Sequence, residues 1–242
     1  MQNEIFSRAR QLLGDKTIAV LSEAKILIVG TGGVGSWCAE TLVRTSAINV
    51  TLVDCDIVAP SNINRQAMAK PSTIGEPKVF ALKKHLLEIS PNAKIEAYNL
   101  KYEVGSAGHP PFVFSNYDYV IDAIDSVDSK VSLIISALSS ENTTLFSSMG
   151  AALRTDPSRV KSSDFKKVTG DGLARAIRGR FKKNQSWPSR SFTAVWSDET
   201  PVVQGVDALA RGSLMQVTAA FGLKLAQLVI SSAQQKGAQH KA

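Results

Sequence analysis

The sequence predicts an α/β fold: a Rossmann-like open, mostly parallel sheet with flanking helices and a C-terminal substrate-binding extension. Three observations predict it. Lys25 to Gly30 (KILIVG) is a short apolar, β-rich run, the pattern of a strand buried on both faces of a parallel sheet. Gly30-Thr31-Gly32-Gly33-Val34-Gly35 follows directly and opens a helical stretch. A second run, NVTLVDCD, ends at Asp54 to Asp56. Strand, glycine turn, helix and strand make one right-handed βαβ unit.

The other elements follow in order. The first 24 residues read as helical, with a boundary near Ser22-Glu23. After the second strand come a polar loop (PSNINRQAMAKPSTIGEPK) and a helix from about Val79 to Ile89. The strand AKIEAYNL, a Gly/Pro-rich loop around Gly105 to Pro111, the strand DYVIDAID, another helix and the strand TLFSSMG complete the open sheet. From Ala151 to Pro188 the pattern loses definition; Asp171 to Lys183 reads as helix and Asn184 to Arg190 as a mobile loop. SFTAVWSD alternates like a strand. Ser213 to Ser232 is apolar but carries Gln216, Thr218, Lys224 and Gln227, which fits a buried or interface helix better than a membrane span.

Composition narrows the function classes. A chain of 242 residues with 44% hydrophobic and 20% charged content can bury a sizeable core, so wholesale disorder is excluded. The start has no apolar signal core, and a cytoplasmic protein is the expectation. The two cysteines, Cys38 and Cys55, form no CxxC pair and read as buried thiols, which argues against a disulfide framework or a zinc site. The three histidines are scattered, so no histidine triad can be assembled from neighbours. The net charge is +7, and residues 151–190 hold eleven Lys/Arg against three Asp. Such a stretch suits a polyanion, although a solvated helix face is the plainer alternative.

The glycine turn lets a phosphate approach the backbone at a helix N-terminus, so Gly30, Gly32, Gly33 and Gly35 are candidate binding residues. Asp54, 19 residues beyond Gly35, stands where a carboxylate grips ribose hydroxyls. These features fit any nucleotide-binding Rossmann domain. Asn62, Arg65, Gln66 and Lys78 in the following loop discriminate further. Splitting a triphosphate calls for cations on the charge moving toward pyrophosphate, and a planar Arg fork complements a Lys point charge. Asp122 and Asp125 end a strand, where a carboxylate can hold Mg²⁺ against phosphates. Surface roles for Arg65 and Lys78 and a helix-capping role for Asp125 are the alternatives.

GTGGVGS, the D-C-D strand end, SNINRQ, GEPK and DAIDS occur in the order and spacing of the ubiquitin-activating-enzyme-like (ThiF/MoeB/HesA) adenylyltransferases, and the chain resembles that superfamily over nearly its whole length. The later motifs resemble its tRNA threonylcarbamoyladenosine dehydratase branch: Phe6-Ser7-Arg8, Ser147-Ser148-Met149-Gly150, Asp156-Pro157, Leu173-Ala174-Arg175 and Val195-Trp196-Ser197. The chain departs from the family's patterns in lacking zinc CxxC pairs, in Ala152-Leu153 after Met149-Gly150-Ala151, and in Gly172.

The resemblance implies ATP and Mg²⁺ as cofactors. The glycines would receive the phosphates, with Asp56 and Ser126 lining the site and Asp54 on the ribose. Asn62, Arg65 and Lys78 would contact phosphates, and Asp125 would position the metal. Arg8 would act as an arginine finger in the other subunit's site, making a homodimer obligatory. The implied substrate is tRNA carrying threonylcarbamoyladenosine, activated as an acyl-adenylate of its threonyl carboxylate and then cyclised. Arg175, Arg178, Arg180, Lys182 and Lys183, with Phe181, Trp187 and Phe192 interleaved, would meet tRNA, and a sulfur-relay partner stays admissible. Core packing is the alternative role for these aromatics, favoured for Phe192 over Trp187. The implied division is a 1–24 helical segment, a 25–150 ATP-binding domain and a 151–242 extension. Adenylation of a small ubiquitin-like or sulfur-carrier protein, and a nucleotide-sensing or dinucleotide-dependent Rossmann protein, are the alternative functions.

Overall fold

The apolar runs line up in one seven-stranded sheet of order β3-β2-β1-β4-β5-β7-β6, in a computed structural model that describes residues 2–103, 112–202 and 212–239. Its strands are β1 (Lys25–Val29), β2 (Asn49–Asp54), β3 (Lys94–Asn99), β4 (Tyr119–Asp122), β5 (Thr144–Ser148), β6 (Val160–Asp164) and β7 (Thr193–Ser197). Five neighbouring pairs are parallel, and β6 runs antiparallel to β7. The Gly/Pro-rich loop expected around Gly105 to Pro111 lies outside the described residues.

β1 shows why the sheet is covered twice. Ile26 and Ile28 enter a core with α3 (Asp15–Glu23), α4 (Gly35–Arg44), α5 (Lys78–Ile89) and α8 (Met215–Gln239). Leu27 and Val29 enter the opposite core with α6 (Val127–Leu138) and α7 (Gly172–Lys183). Each such side chain stabilises the fold by about 1.5–3 kcal/mol. Strand order reverses between β1 and β4, which opens the crevice where ligands of such sheets bind.

The N-terminal helical segment divides into α1 (Gln2–Ile5), α2 (Ser7–Leu13) and α3, with Gly14 at φ 80 as the break between α2 and α3. Helix α8 crosses α4 so closely that a Cβ on Gly222 would lie 2.5 Å from the Val34 carbonyl oxygen. It starts beside the glycine turn, where Thr218 meets Gly33, and ends where Gly237 packs on Lys16 and Thr17 of α3. The 19 residues between those contacts span roughly 28 Å of helix.

Residues 151–242 add β6 and β7 to the same sheet and α8 to its face. Strand β6 has no counterpart in the sequence reading, because VKSSD has one apolar residue and no alternation. Pairing with β7 makes it a strand: the Trp196 indole N–H donates to Ser163 Oγ at 2.9 Å, and Lys161 lies 4.4 Å over the Trp196 ring. Its polar outer side blunts a sheet edge. Helix α7 begins where Asp171 accepts the Ala174 amide at 2.8 Å, an N-cap. Between β5 and β6, Leu153 has φ 62. Its amide donates to the Gly212 carbonyl and its own carbonyl accepts the Val202 amide.

Residues 184–190, expected as a mobile loop, are pinned: the Arg190 guanidinium donates to the Leu138, Ser140 and Thr143 carbonyls, and Ser189 to Leu138. Cys38 is buried as expected. Cys55 is exposed, a correction, because β2 ends at Asp54 and the next residue has already left the sheet. Among the described residues, no helix is long and apolar enough to cross a membrane.

Candidate active site

The turn after β1 tolerates only glycine at two positions. Gly30 has φ 93, and a Cβ there would sit 2.5 Å from the Ala123 carbonyl oxygen; one on Gly35 would sit 1.8 Å from the Gly30 carbonyl oxygen. The turn is thereby pressed between β4 and the first turn of α4, leaving backbone amides at a helix N-terminus. Gly32 and Gly33 are roomier. A Cβ on Gly33 would lie 3.3 Å from Arg65 Cγ, and one on Gly32 would lie 3.8 Å from Gln66 Nε2. Arg65 and Gln66, 32 and 34 residues beyond the glycines they meet, therefore lie against the turn.

Asp54 is half-buried at the end of β2. Its Oδ2 accepts the Thr31 amide at 2.6 Å and the Thr31 hydroxyl at 3.0 Å, and its Oδ1 accepts the Asp56 amide. The carboxylate thus ties the glycine turn to β2 and keeps lone pairs for further donors. The sequence reading missed Thr31, which is fully buried.

The 60–78 loop is held by its own backbone. Asn62 is 8% exposed and its Oδ1 accepts the Ala59 amide, so its side-chain oxygen shapes the loop. Arg65 is half-buried; its guanidinium donates to the Ser61 carbonyl and Asn64 Oδ1, and its carbonyl accepts the Trp37 indole N–H. Gln66 is 6% exposed and its Oε1 is buried with no hydrogen-bond partner, while its Nε2, a donor, is the atom that lies against the glycine turn. Lys78, the first residue of α5, is nearly buried and pairs with exposed Asp56 at 2.7 Å.

The DAIDS motif divides. Asp122 is fully buried: Lys130 Nζ donates to its Oδ1 at 2.8 Å and the Ser147 hydroxyl to its Oδ2 at 2.7 Å. Burial pushes its carboxyl upward, against the opposing pull of Lys130 and Ser147. Asp122 is therefore a structural anchor and no exposed metal ligand, a correction with desolvation as its reason. Lys130, missed by the sequence reading, also donates to the Ile124 carbonyl and so fixes the turn that follows β4. A lone Lys among the apolar residues of α6 was the available signal. Asp125 and Ser126, on that turn, are exposed, and Asp125 has no ion pair among the described residues.

Asp54, Cys55 and Asp56 bring ligand atoms within 4.8 Å of one another. Burial and then the two carboxylates push the Cys55 thiol upward, so it stays protonated and is a poor metal ligand.

The basic stretch is partly spent inside the fold. Arg178 donates to the Phe165 and Val168 carbonyls and lies over the Phe165 ring; Arg180 pairs with Asp128; Arg159 and Lys161 pair with Asp198. Phe181 and Phe192 are core residues. Lys166, Lys167, Arg175, Lys182 and Lys183 are exposed. Trp187 is 58% exposed and leans on Phe181 with ring centroids 5.4 Å apart, which leaves one face open beside those cations. Arg8 stands exposed on α2, which packs on α3 at the far end of α8 from the glycine turn.

A Rossmann-like sheet with a tight glycine turn at a helix N-terminus, Asp54 at the end of the next strand, and Arg65 and Gln66 against that turn has the architecture of a nucleotide-binding protein. The chain belongs to the ThiF family, whose model matches residues 6–242. It is 35% identical to the tRNA threonylcarbamoyladenosine dehydratase of Bacillus subtilis, over 82% of this chain and 76% of that protein. It is 30% identical to the Haemophilus influenzae enzyme of the same name, over 93% of this chain and 91% of that protein. Among solved structures it resembles the E. coli tRNA N6-threonylcarbamoyladenosine dehydratase in complex with AMP (TM-score 0.87) and with ATP (TM-score 0.86). Each is 29% identical, over 98% of this chain and 96% of that one.

Proposed function

We propose that this chain catalyses the ATP-dependent cyclising dehydration of threonylcarbamoyladenosine in tRNA through an acyl-adenylate. The observation that carries the reading is the meeting of Arg65 with Gly33 and of the Gln66 side-chain amide nitrogen with Gly32, at the crevice edge that also presents Asp125. A dinucleotide oxidoreductase has no use for that set, whereas transfer of an adenylyl group uses it fully.

In this reading the threonyl carboxylate attacks the α-phosphorus, a Pα–O bond breaks, and pyrophosphate leaves. A carboxylate is already an anionic nucleophile, which agrees with a site built without histidine or cysteine. The glycine-turn amides hold the phosphates, Arg65 and Lys78 take up the charge moving onto pyrophosphate, and Lys78 gives up Asp56 to do so. Mg²⁺ would be held by Asp125, whose exposed carboxylate fits it, and supplies charge neutralisation on the phosphates. The carbamoyl nitrogen or oxygen then attacks the acyl carbon, the bond to AMP breaks, and a proton passes to solvent. That intramolecular closure has a high effective molarity.

Lys166, Lys167, Arg175, Lys182 and Lys183 form the phosphate-facing surface for tRNA, and Trp187 offers an open ring to a base. Arg8 serves the site of a second copy, since roughly 28 Å of α8 separates its end of the chain from its own glycine turn; the working unit is then a homodimer. The chemistry needs no sulfur-relay partner.

ATP–pyrophosphate exchange and AMP release, measured with and without bulk tRNA from cells lacking the activity, test the reading. Release that requires the modified tRNA and vanishes in Asp125→Ala supports it. Nucleotide binding with no response to that tRNA would sink it.

A further inference from the structure

Arg154 belongs to none of the roles above, yet it is the most unusual cation in the chain. It is 3% exposed, and its Nη1 is buried with no hydrogen-bond partner. The rest of its fork is fixed: Nε donates to the Gly150 carbonyl at 3.2 Å, and Nη2 faces Asp171 Oδ2 at 3.4 Å. Asp171, also 3% exposed, accepts the amides of Gly150 and Ala174. A guanidinium is always charged, and leaving one of its buried donors unmade is costly. A methionine would fill the same space without that cost. The free arm therefore points to a ligand oxygen.

Its position says which one. β4 and β5 are parallel neighbours with Asp122 beside Ser147. Gly150 follows Ser147 by three residues, as Asp125 follows Asp122, so both turns leave the same carboxyl edge on adjacent strands. Arg154 is thereby held one strand beyond Asp125, on the side of the crevice away from the glycine turn. With phosphates on the glycines, the acyl partner of the α-phosphate lies on that side.

We propose that the free Nη1 of Arg154 receives one oxygen of the acyl substrate's carboxylate. The assignment rests on the adenylation reading. One contact then serves both steps. With one oxygen held by Arg154, the other attacks the α-phosphorus. The held oxygen becomes the acyl carbonyl and carries the negative charge formed when the ring-closing nucleophile adds to the acyl carbon. That charge returns as the bond to AMP breaks. Because the Gly150 carbonyl and Asp171 fix the fork beforehand, little reorganisation accompanies the reaction.

The test compares wild type with Arg154→Met and Arg154→Lys; the second keeps a cation against Asp171 if the first folds poorly. ATP affinity is measured by direct titration, and AMP release by steady-state kinetics on modified tRNA. Unchanged ATP affinity and tRNA KM, with kcat down on the order of 10²-fold in Arg154→Met and less in Arg154→Lys, is the expected result. Arg190→Gln, which loses its carbonyl contacts at the opposite sheet edge, serves as the comparator for lost stability. Wild-type kcat in both Arg154 variants, or an equal kcat loss in Arg190→Gln, overturns the assignment alone. A wild type that releases no AMP with this tRNA overturns the adenylation reading, and the assignment falls with it.

Discussion

The β1–β2 half of the sheet and the β5–β7–β6 half use their unusual residues in opposite ways. In the first half, backbone geometry makes the site: Gly30 and Gly35 have no room for a Cβ, and Thr31 is locked to Asp54. In the second, side-chain charge makes the structure. Arg154, Arg159, Lys161, Arg178, Arg180 and Arg190 all hold acidic groups or carbonyls of their own chain. Sequence charge therefore overstates the surface a polyanion can meet, and only the exposed subset of Lys/Arg with Trp187 is left for it.

The largest effect expected lies on the seam between the halves. Lys130→Ala strands the fully buried Asp122 carboxylate and should cost about 3–5 kcal/mol in denaturant unfolding; a loss under 1 kcal/mol would mean water enters that seam. Next, Gly35→Ala forces a Cβ onto the Gly30 carbonyl. We expect about 2–3 kcal/mol of destabilisation together with loss of ATP binding in titration calorimetry. Trp187→Ala should weaken tRNA binding by about 1–3 kcal/mol, the worth of one stacked base, with a near-unchanged Tm; a large fall in Tm instead would make it a core residue. Lys182→Gln with Lys183→Gln should make the salt dependence of tRNA binding shallower by roughly one to two phosphate contacts. Arg178→Gln, by contrast, should lower Tm and leave that slope alone. Equal slopes would erase the distinction between spent and free cations.

The smallest effect is acidic. Lys161, then Arg159, hold the Asp198 carboxyl down to about 2. A carboxyl lowered on folding stabilises above its unfolded value near 4, and that gain is lost as pH falls through about 2. The Tm difference between wild type and Asp198→Asn should therefore shrink steadily from pH 4 to pH 2. A constant difference would remove the charge from the account of β6 and β7.

How legible each half was follows from the same contrast. A glycine turn between a strand and a helix leaves a pattern in consecutive residues, and so do β-rich runs covered on both faces. Gln66 and Arg65 were legible as neighbours of the glycine turn because they stand in a recognisable loop. Lys130 was not, since its partner Asp122 lies eight residues away and only the fold closes the pair. β6 was not, since VKSSD has no period and is a strand only against β7. Arg154 is one of the eleven Lys/Arg of the basic stretch, and no local signal tells a solvated arginine from one enclosed by Gly150 and Asp171.

Leu153 holds a further consequence. Its amide donates to the Gly212 carbonyl and its own carbonyl accepts the Val202 amide, so two segments are tied to one residue whose own φ is 62. One leucine in the left-handed region thereby works as a clasp, fastening Val202 and Gly212 to the link between β5 and β6.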